Sequence, residues 1–127
     1  MSRNAIATAS APAALGPYSQ GIESGGLVFT SGQLGIDPAT GKIVDGIENQ
    51  TERALLNIEA ILAAAGLAMA DVVKTSIFLV DLAHFGQVNA IYARHVATPP
   101  PARSTFQVSG LALGALIEIE AIARRPS

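Results

Sequence analysis

Cysteine is absent from this 127-residue chain. That excludes a thiolate nucleophile, a cysteine-ligated zinc site and any disulfide framework, and it fits a reducing compartment such as the cytoplasm. Charge is scarce as well: Asp, Glu, Lys and Arg make up 14% of the residues, where soluble domains average about 25%. The balance is a net −2. No Lys/Arg cluster occurs apart from Arg124 and Arg125, so the electrostatic footprint of a nucleic-acid-binding protein is missing. Long hydrophobic runs are missing too. The longest apolar stretch, AILAAAGLAMA at 60–70, is about half the roughly 20 residues that a membrane span needs. The opening stretch, MSRNAIATASAPAALG, carries one arginine and no apolar segment of the kind a secretory leader uses, so export is not expected.

What is present is apolar: 50% of the residues are hydrophobic. A chain of this length is expected to form one domain over 1–127 with its own core. A small monomer with so few charges has too much surface to keep wet, so part of that surface is expected to be covered by copies of the same chain.

Two helices and six strands are predicted. The first helix runs from Asn49 to Leu67, with Asn49 as cap, Glu52 completing a capping box, and Leu55, Ile58, Leu62 and Ala65 on one face. Gly66 ends it. The second starts at Asp81 as cap and reaches about Val96, with Phe85, Val88 and Tyr92 as its stripe, and the prolines at 99–101 stop it. The strands are Ala5–Thr8, Tyr18–Ser24, Leu27–Ser31, 71–80, Ala102–Ser109 and Leu116–Arg124, the second and third joined by a glycine turn that suits a hairpin. A mixed sheet with both helices on one face follows.

Period-two alternation puts Ala102, Ser104, Phe106 and Val108 on one side of their strand, expected to lie under the helices, with Arg103, Thr105, Gln107 and Ser109 on the other. In IEIEAIAR, Ile117, Ile119, Ala121 and Ala123 alternate with Glu118, Glu120, Ile122 and Arg124. If both polar sets face away from the helices, Arg103 and Glu120 share a surface, together with Phe29, Lys74, Ser76 and Phe78. Alternation alone favours a wet face on which Arg103, Glu118 and Glu120 form cross-strand ion pairs worth about 0.2–1 kcal/mol each. A mixed apolar and charged interface holding a pocket is the other reading.

Familiar catalytic motifs are lacking: there is no phosphate-binding glycine loop, dinucleotide fingerprint, HExxH or GxSxG. The two histidines, His84 and His95, stand about 16 Å apart on one predicted helix and cannot share a metal. His84 suits a capping role. What remains is an arginine, carboxylates, hydroxyls and backbone, a set suited to a substrate that carries a carboxylate and is already electrophilic, for which fixing geometry and placing one water are enough.

Several strings, in order, match one family: APAALGPYSQG at 11–21, FTSGQLGIDPATGKI at 29–43, VVKTSIFLVDLAHFGQVNAIY at 72–92, PARST at 101–105 and IEIEAIAR at 117–124. Over nearly its whole length the chain resembles the RidA (YjgF-type) reactive-intermediate deaminases. The resemblance implies a chorismate-mutase-like α+β fold, a homotrimer with pockets between subunits, and hydrolysis of 2-imino acids or their enamine tautomers to 2-oxo acids and ammonia, with no cofactor or metal. It implies that Arg103 grips the substrate carboxylate and that Glu120 positions the attacking water. Tyr18, Ser31, Gly32, Asn89 and Thr105 are implied at the pocket wall; Thr105 stands where many deaminating members have cysteine. A trimer that binds 2-oxo acids without turnover is the alternative.

Overall fold

The computed structural model describes residues 2–127. In chain order its elements are β1 (Asn4–Ile6), β2 (Gly21–Ser24), β3 (Leu27–Thr30), β4 (Gln33–Leu34), β5 (Ile36–Asp37), β6 (Lys42–Ile43), α1 (Ile47–Ala64), β7 (Val72–Leu79), α2 (Phe85–Tyr92), β8 (Ala102–Gln107) and β9 (Ile117–Arg124). The main sheet has the order β1-β2-β3-β9-β7-β8, with short β4 also on β9. Only β7 and β8 run parallel in it, because α2 carries the chain back between them. The six expected strands are those on this path. The short β4 and the separate β5–β6 hairpin were not predicted.

Local chemistry explains most boundaries. Gly25 and Gly26 both adopt positive φ (60° and 79°), as the two-residue turn joining twisted antiparallel strands requires. α1 ends in a Schellman arrangement: Gly66 at φ 77° donates to the Ala63 carbonyl at 2.9 Å while Leu67 donates to that of Leu62 at 2.8 Å. Its start differs from expectation. The cap is Gly46 rather than Asn49, and Asn49 Nδ2 reaches back to the Asp45 carbonyl at 3.0 Å. The helix begins early because Ile47 and Gln50 are drawn into the interior, where Gln50 Oε1 accepts from the Leu116 amide at 2.8 Å. Asp81 does cap the second helical segment, accepting from the Ala83 amide at 2.9 Å. A 3-10 turn over Leu82–His84 then leads into α2, which stops at Tyr92 rather than Val96. His84 stands at the N-cap position of α2 but its side chain makes no capping hydrogen bond, pairing instead with Gln87 at 3.1 Å.

The core lies between the helices and the inner face of the sheet. Leu55, Ile58, Ile61 and Leu62 of α1 are fully buried against Ile77, Leu79, Ile117 and Ile119, each such side chain contributing about 1.5–3 kcal/mol. Phe85, expected in the apolar stripe of α2, is instead exposed.

His95 fastens the end of α2 to α1. Its ring bonds Glu52 Oε1 through Nε2 at 2.8 Å and Glu59 Oε2 through Nδ1 at 2.5 Å, which takes Glu52 away from any capping box. Burial works against a charged ring, yet the hydrogen bonds and charges of the two glutamates outweigh it and raise the His95 pKa. A raised folded-state pKa gives stability that is fully present below the ordinary imidazole value of about 6.5 and lost as pH rises through the folded value. Chemical denaturation is therefore expected to show the protein weakening across that window, and His95→Gln to remove this part of the pH dependence; an unaltered pH profile in the variant would contradict the latch.

Candidate active site

The sheet register decides what shares a face, and it reverses one expectation. Arg103 pairs with Thr75, Thr105 with Ile77 and Gln107 with Leu79, and paired residues project to the same side. Thr75, Ile77 and Leu79 are buried beneath the helices, so Arg103 and Thr105 lie on the helix side. Glu120 pairs with Ser76 and Glu118 with Phe78, which in turn pair with Ser104 and Phe106, all on the outer face. Arg103 and Glu120 are thus on opposite faces of the sheet, and the expected cross-strand ion pairs do not form. The reason is that β8 is an edge strand. Phe106 is 56% exposed on the open side, while the inner side is covered by aromatic rings that accept a cation. Lys74, Ser76, Phe78 and Phe29 do share the outer face with the carboxylates, and a bulge at Val73 turns Val72 inward.

The inner group is built on α2 and β8. The Arg103 guanidinium stands 4.9 Å from the Tyr92 ring centroid and 5.5 Å from that of Phe85, a cation–π arrangement that fixes the fork while leaving its donors free. Tyr92 is itself held by a 2.6 Å hydrogen bond between its hydroxyl and Thr75 Oγ1. Asn89 falls four residues after Phe85 and three before Tyr92, on the same side of α2. Thr105 Oγ1 is buried and has no hydrogen-bond partner among the described residues. No carboxylate pairs with Arg103 among them either.

The outer group surrounds a cleft of about 510 Å³ lined by Tyr18, Ser31, Gly32, Glu118 and Glu120, with Leu15, Leu34 and Ile36 as apolar wall. Ser31 is locked by its Oγ donating to the Ser19 carbonyl at 2.6 Å and its amide to that of Gln20 at 2.8 Å. The Tyr18 hydroxyl accepts from the Leu15 amide at 2.9 Å. Gln20, which sequence reasoning missed, shapes one wall: it accepts from the Thr8 amide at 2.7 Å and donates to the carbonyls of Thr8, Ala11 and Pro12. Gln20 falls inside the predicted strand Tyr18–Ser24, whereas β2 starts only at Gly21, and a lone glutamine carries no pattern that would mark it as a buried pin.

Glu118 is the second residue that was missed as a site group. A Cβ on Gly32 would collide with its carboxylate, so the glycine is what lets the carboxylate lie along the cleft wall. Burial pushes the Glu118 carboxyl above its ordinary value, and the charge of Glu120 adds to the effect. The structure therefore brings Tyr18, Ser31, Gly32, Glu118 and Glu120 together in one place, and Arg103 and Thr105 in another, with Asn89 on the α2 face that holds Phe85 and Tyr92.

The chain matches known proteins along its length. A family model described as Endoribonuclease L-PSP covers residues 8–125. Reactive Intermediate Deaminase A, chloroplastic, of Arabidopsis thaliana is 54% identical over 122 residues, which are 95% of this chain and 65% of that protein. The 2-iminobutanoate/2-iminopropanoate deaminase of Salmonella typhimurium is 48% identical over 124 residues, 94% of this chain and 96% of that one. The crystal structure of E. coli TdcF with bound serine shares the fold with a TM-score of 0.93 at 42% identity, covering 97% of this chain and 99% of that one. With a family match that takes in every element from β2 to β9 and relatives alike in both sequence and fold, the chain belongs to the RidA/YjgF family.

Proposed function

We propose that this protein is a hydrolytic deaminase that converts reactive 2-imino acids, such as 2-iminopropanoate and 2-iminobutanoate, or their enamine tautomers, to 2-oxo acids and ammonia in the cytoplasm, without a cofactor. The observation that carries the reading is the split site: an unpaired arginine on one face of the sheet and an unpaired carboxylate cleft on the other. The two halves meet when the β8 edge of one copy sits against the cleft of the next, as in a cyclic homotrimer. The outer face supports this, since Phe29, Phe106 and Val73 are exposed large hydrophobics on the sheet.

In such a site Arg103 holds the substrate carboxylate through its planar fork, a geometry lysine does not reproduce. Asn89 and Thr105 border that end, with the buried Thr105 hydroxyl available as a hydrogen-bonding group. Ser31, Gly32 and Tyr18 line the opposite wall. Water attacks C2, and of the two carboxylates Glu118 is the one set directly against Gly32 in the cleft; the water-aligning role moves to it, with Glu120 behind. Collapse of the carbinolamine releases ammonia. The family model's description names an endoribonuclease, but a net charge of −2 supports a small anionic substrate over RNA.

The test generates 2-iminobutanoate with a pyridoxal-phosphate dehydratase and follows 2-oxobutanoate formation. Added protein is expected to speed the second step; no acceleration would overturn the reading. Gly32→Ala is expected to lose about 10²-fold in kcat/KM, the order of effect a displacement of about 1 Å produces, with the melting temperature little changed. A non-catalytic binder of 2-oxo acids is the second reading; the E. coli TdcF structure with bound serine supports it to the extent that a relative holds a small carboxylate-bearing molecule. Glu118→Gln separates the two: an enzyme loses turnover and keeps oxo-acid binding, whereas a binder has no turnover to lose.

A further inference from the structure

Glu118 and Glu120 are two residues apart on β9 and project to the same side, about 7 Å apart along the strand, yet their surroundings differ. Glu118 lies between Phe78 of β7 and Leu34 of β4, its paired neighbours on either side, and against Gly32. Glu120 lies beside Ser76 and lines a small hollow of mixed character together with Lys74, Thr30, Phe29 and Ile122. Lys74 Nζ also donates to Ser104 Oγ at 3.2 Å. Neither carboxylate has an ion-pair partner among the described residues.

We infer that Glu120 is a positioning residue that acts through Glu118: its negative charge, set two residues along β9 on the same face, favours the protonated form of the Glu118 carboxyl and so suits Glu118 to be the acid of the first step. This rests on the deaminase reading. Two carboxylates in unlike environments divide acid and base duties in this way when one is placed among apolar groups and the other near a cation. The charged and titratable groups that share the cleft with Glu118 are Glu120 on its own strand and Tyr18 across from it, while Lys74 on β7 borders the hollow on the far side of Glu120. β4 and β8 contribute none: Leu34, Ser104 and Phe106 are uncharged. In the assembled site the Arg103 of a second copy joins them, and the substrate carboxylate cancels its charge when bound.

The steps balance with Glu118 alone as proton carrier. Its carboxyl proton passes to the imine nitrogen. Water adds to C2 and gives a proton back to the Glu118 carboxylate, leaving a neutral carbinolamine. The same proton then moves to the amine nitrogen, the C–N bond breaks with its electron pair going to ammonia, and the hydroxyl proton returns to Glu118 as the carbonyl forms. Imine and water become 2-oxo acid and ammonia, and Glu118 ends protonated.

Two measurements test this on the intact protein. Carbon-13 NMR of labelled glutamate carboxyls, with Glu118 assigned by its loss in Glu118→Gln, is expected to show Glu118 titrating above the ordinary carboxylate range. Glu120→Gln, isosteric and uncharged, is expected to move that titration to lower pH, and Glu120→Asp to restore it. The limb of kcat/KM that falls as Glu118 loses its proton is expected to move with it, each pH unit removing about tenfold of the rate at a pH above the limb. A Glu118 titration that does not respond to Glu120→Gln overturns the inference whether or not the protein turns over. A normal response in a protein with no turnover overturns the deaminase reading and leaves the coupling standing.

Discussion

Arg103→Ala is expected to lower kcat/KM by about 10²- to 10⁴-fold, since a bidentate grip is two hydrogen bonds to a charged group at about 1.5–3 kcal/mol each. Arg103→Lys is expected to recover only part of the loss, because the ammonium supplies charge without the fork. Stability should change little, for the guanidinium sits over the rings of Tyr92 and Phe85 at the sheet edge and pairs with no carboxylate among the described residues. The stronger form of the prediction uses a second inactive variant, Glu118→Gln. Arg103 and Glu118 lie on opposite faces of one sheet, so under the proposed function a working site takes the arginine from one copy and the carboxylate from another. Unfolding and refolding an equal mixture of the two variants is expected to restore activity at about one quarter of the sites, the share of randomly paired interfaces with both groups intact. No recovery from a mixture shown to form mixed oligomers would mean that each chain supplies both groups itself.

Asn57→Ala is expected to produce the largest loss of stability from a single polar substitution. Asn57 is fully buried, its Nδ2 donates to the carbonyls of Leu34 at 3.2 Å and Ile36 at 2.9 Å, and its Oδ1 accepts from Arg53 Nε at 3.1 Å. Removing the amide strands two buried carbonyls at about 1–3 kcal/mol each, a total of about 2–6 kcal/mol against the roughly 5–15 kcal/mol typical of a folded domain. Denaturant titration at fixed protomer concentration measures it, since any self-association contributes to apparent stability. Activity is expected to fall as well. Leu34 and Ile36 form the apolar wall of the cleft, and Asn57 is the bolt that ties that wall to α1. A loss under 1 kcal/mol would show that water or a shifted backbone satisfies the carbonyls.

Much of this was readable from periodicity. Alternation in IEIEAIAR correctly placed Ile117, Ile119, Ala121 and Ala123 in the core and both glutamates outside it, because a central strand covered by helices has one dry face and selection of residue type follows it. The glycine turn at 25–26, the Gly66 stop and the Asp81 cap were equally legible, each being a local backbone requirement met by a nearby residue. α1 was misjudged at its start because the cap there is a glycine with no side chain to signal it. Asn57 and Gln20 stayed hidden since a lone amide in sequence looks the same whether it faces water or pins a buried loop.

The same alternation misled in β8. The pattern correctly separated Arg103 and Thr105 from Ser104 and Phe106, and hydrophobicity then assigned the wrong set to the helices. Along the sequence, β8 and β9 are two independent strands, and nothing within either says how their faces correspond. That correspondence depends on the register through β7, where Thr75 faces Arg103 on one side and Ala121 on the other. By itself the sequence determined the family, the two helices and six main strands in outline, and the residue types available for chemistry, because these follow from local pattern and ordered motifs. Only the tertiary structure decided that the arginine and the carboxylates occupy opposite sides of the sheet, because a one-residue difference in register exchanges the two faces of a strand.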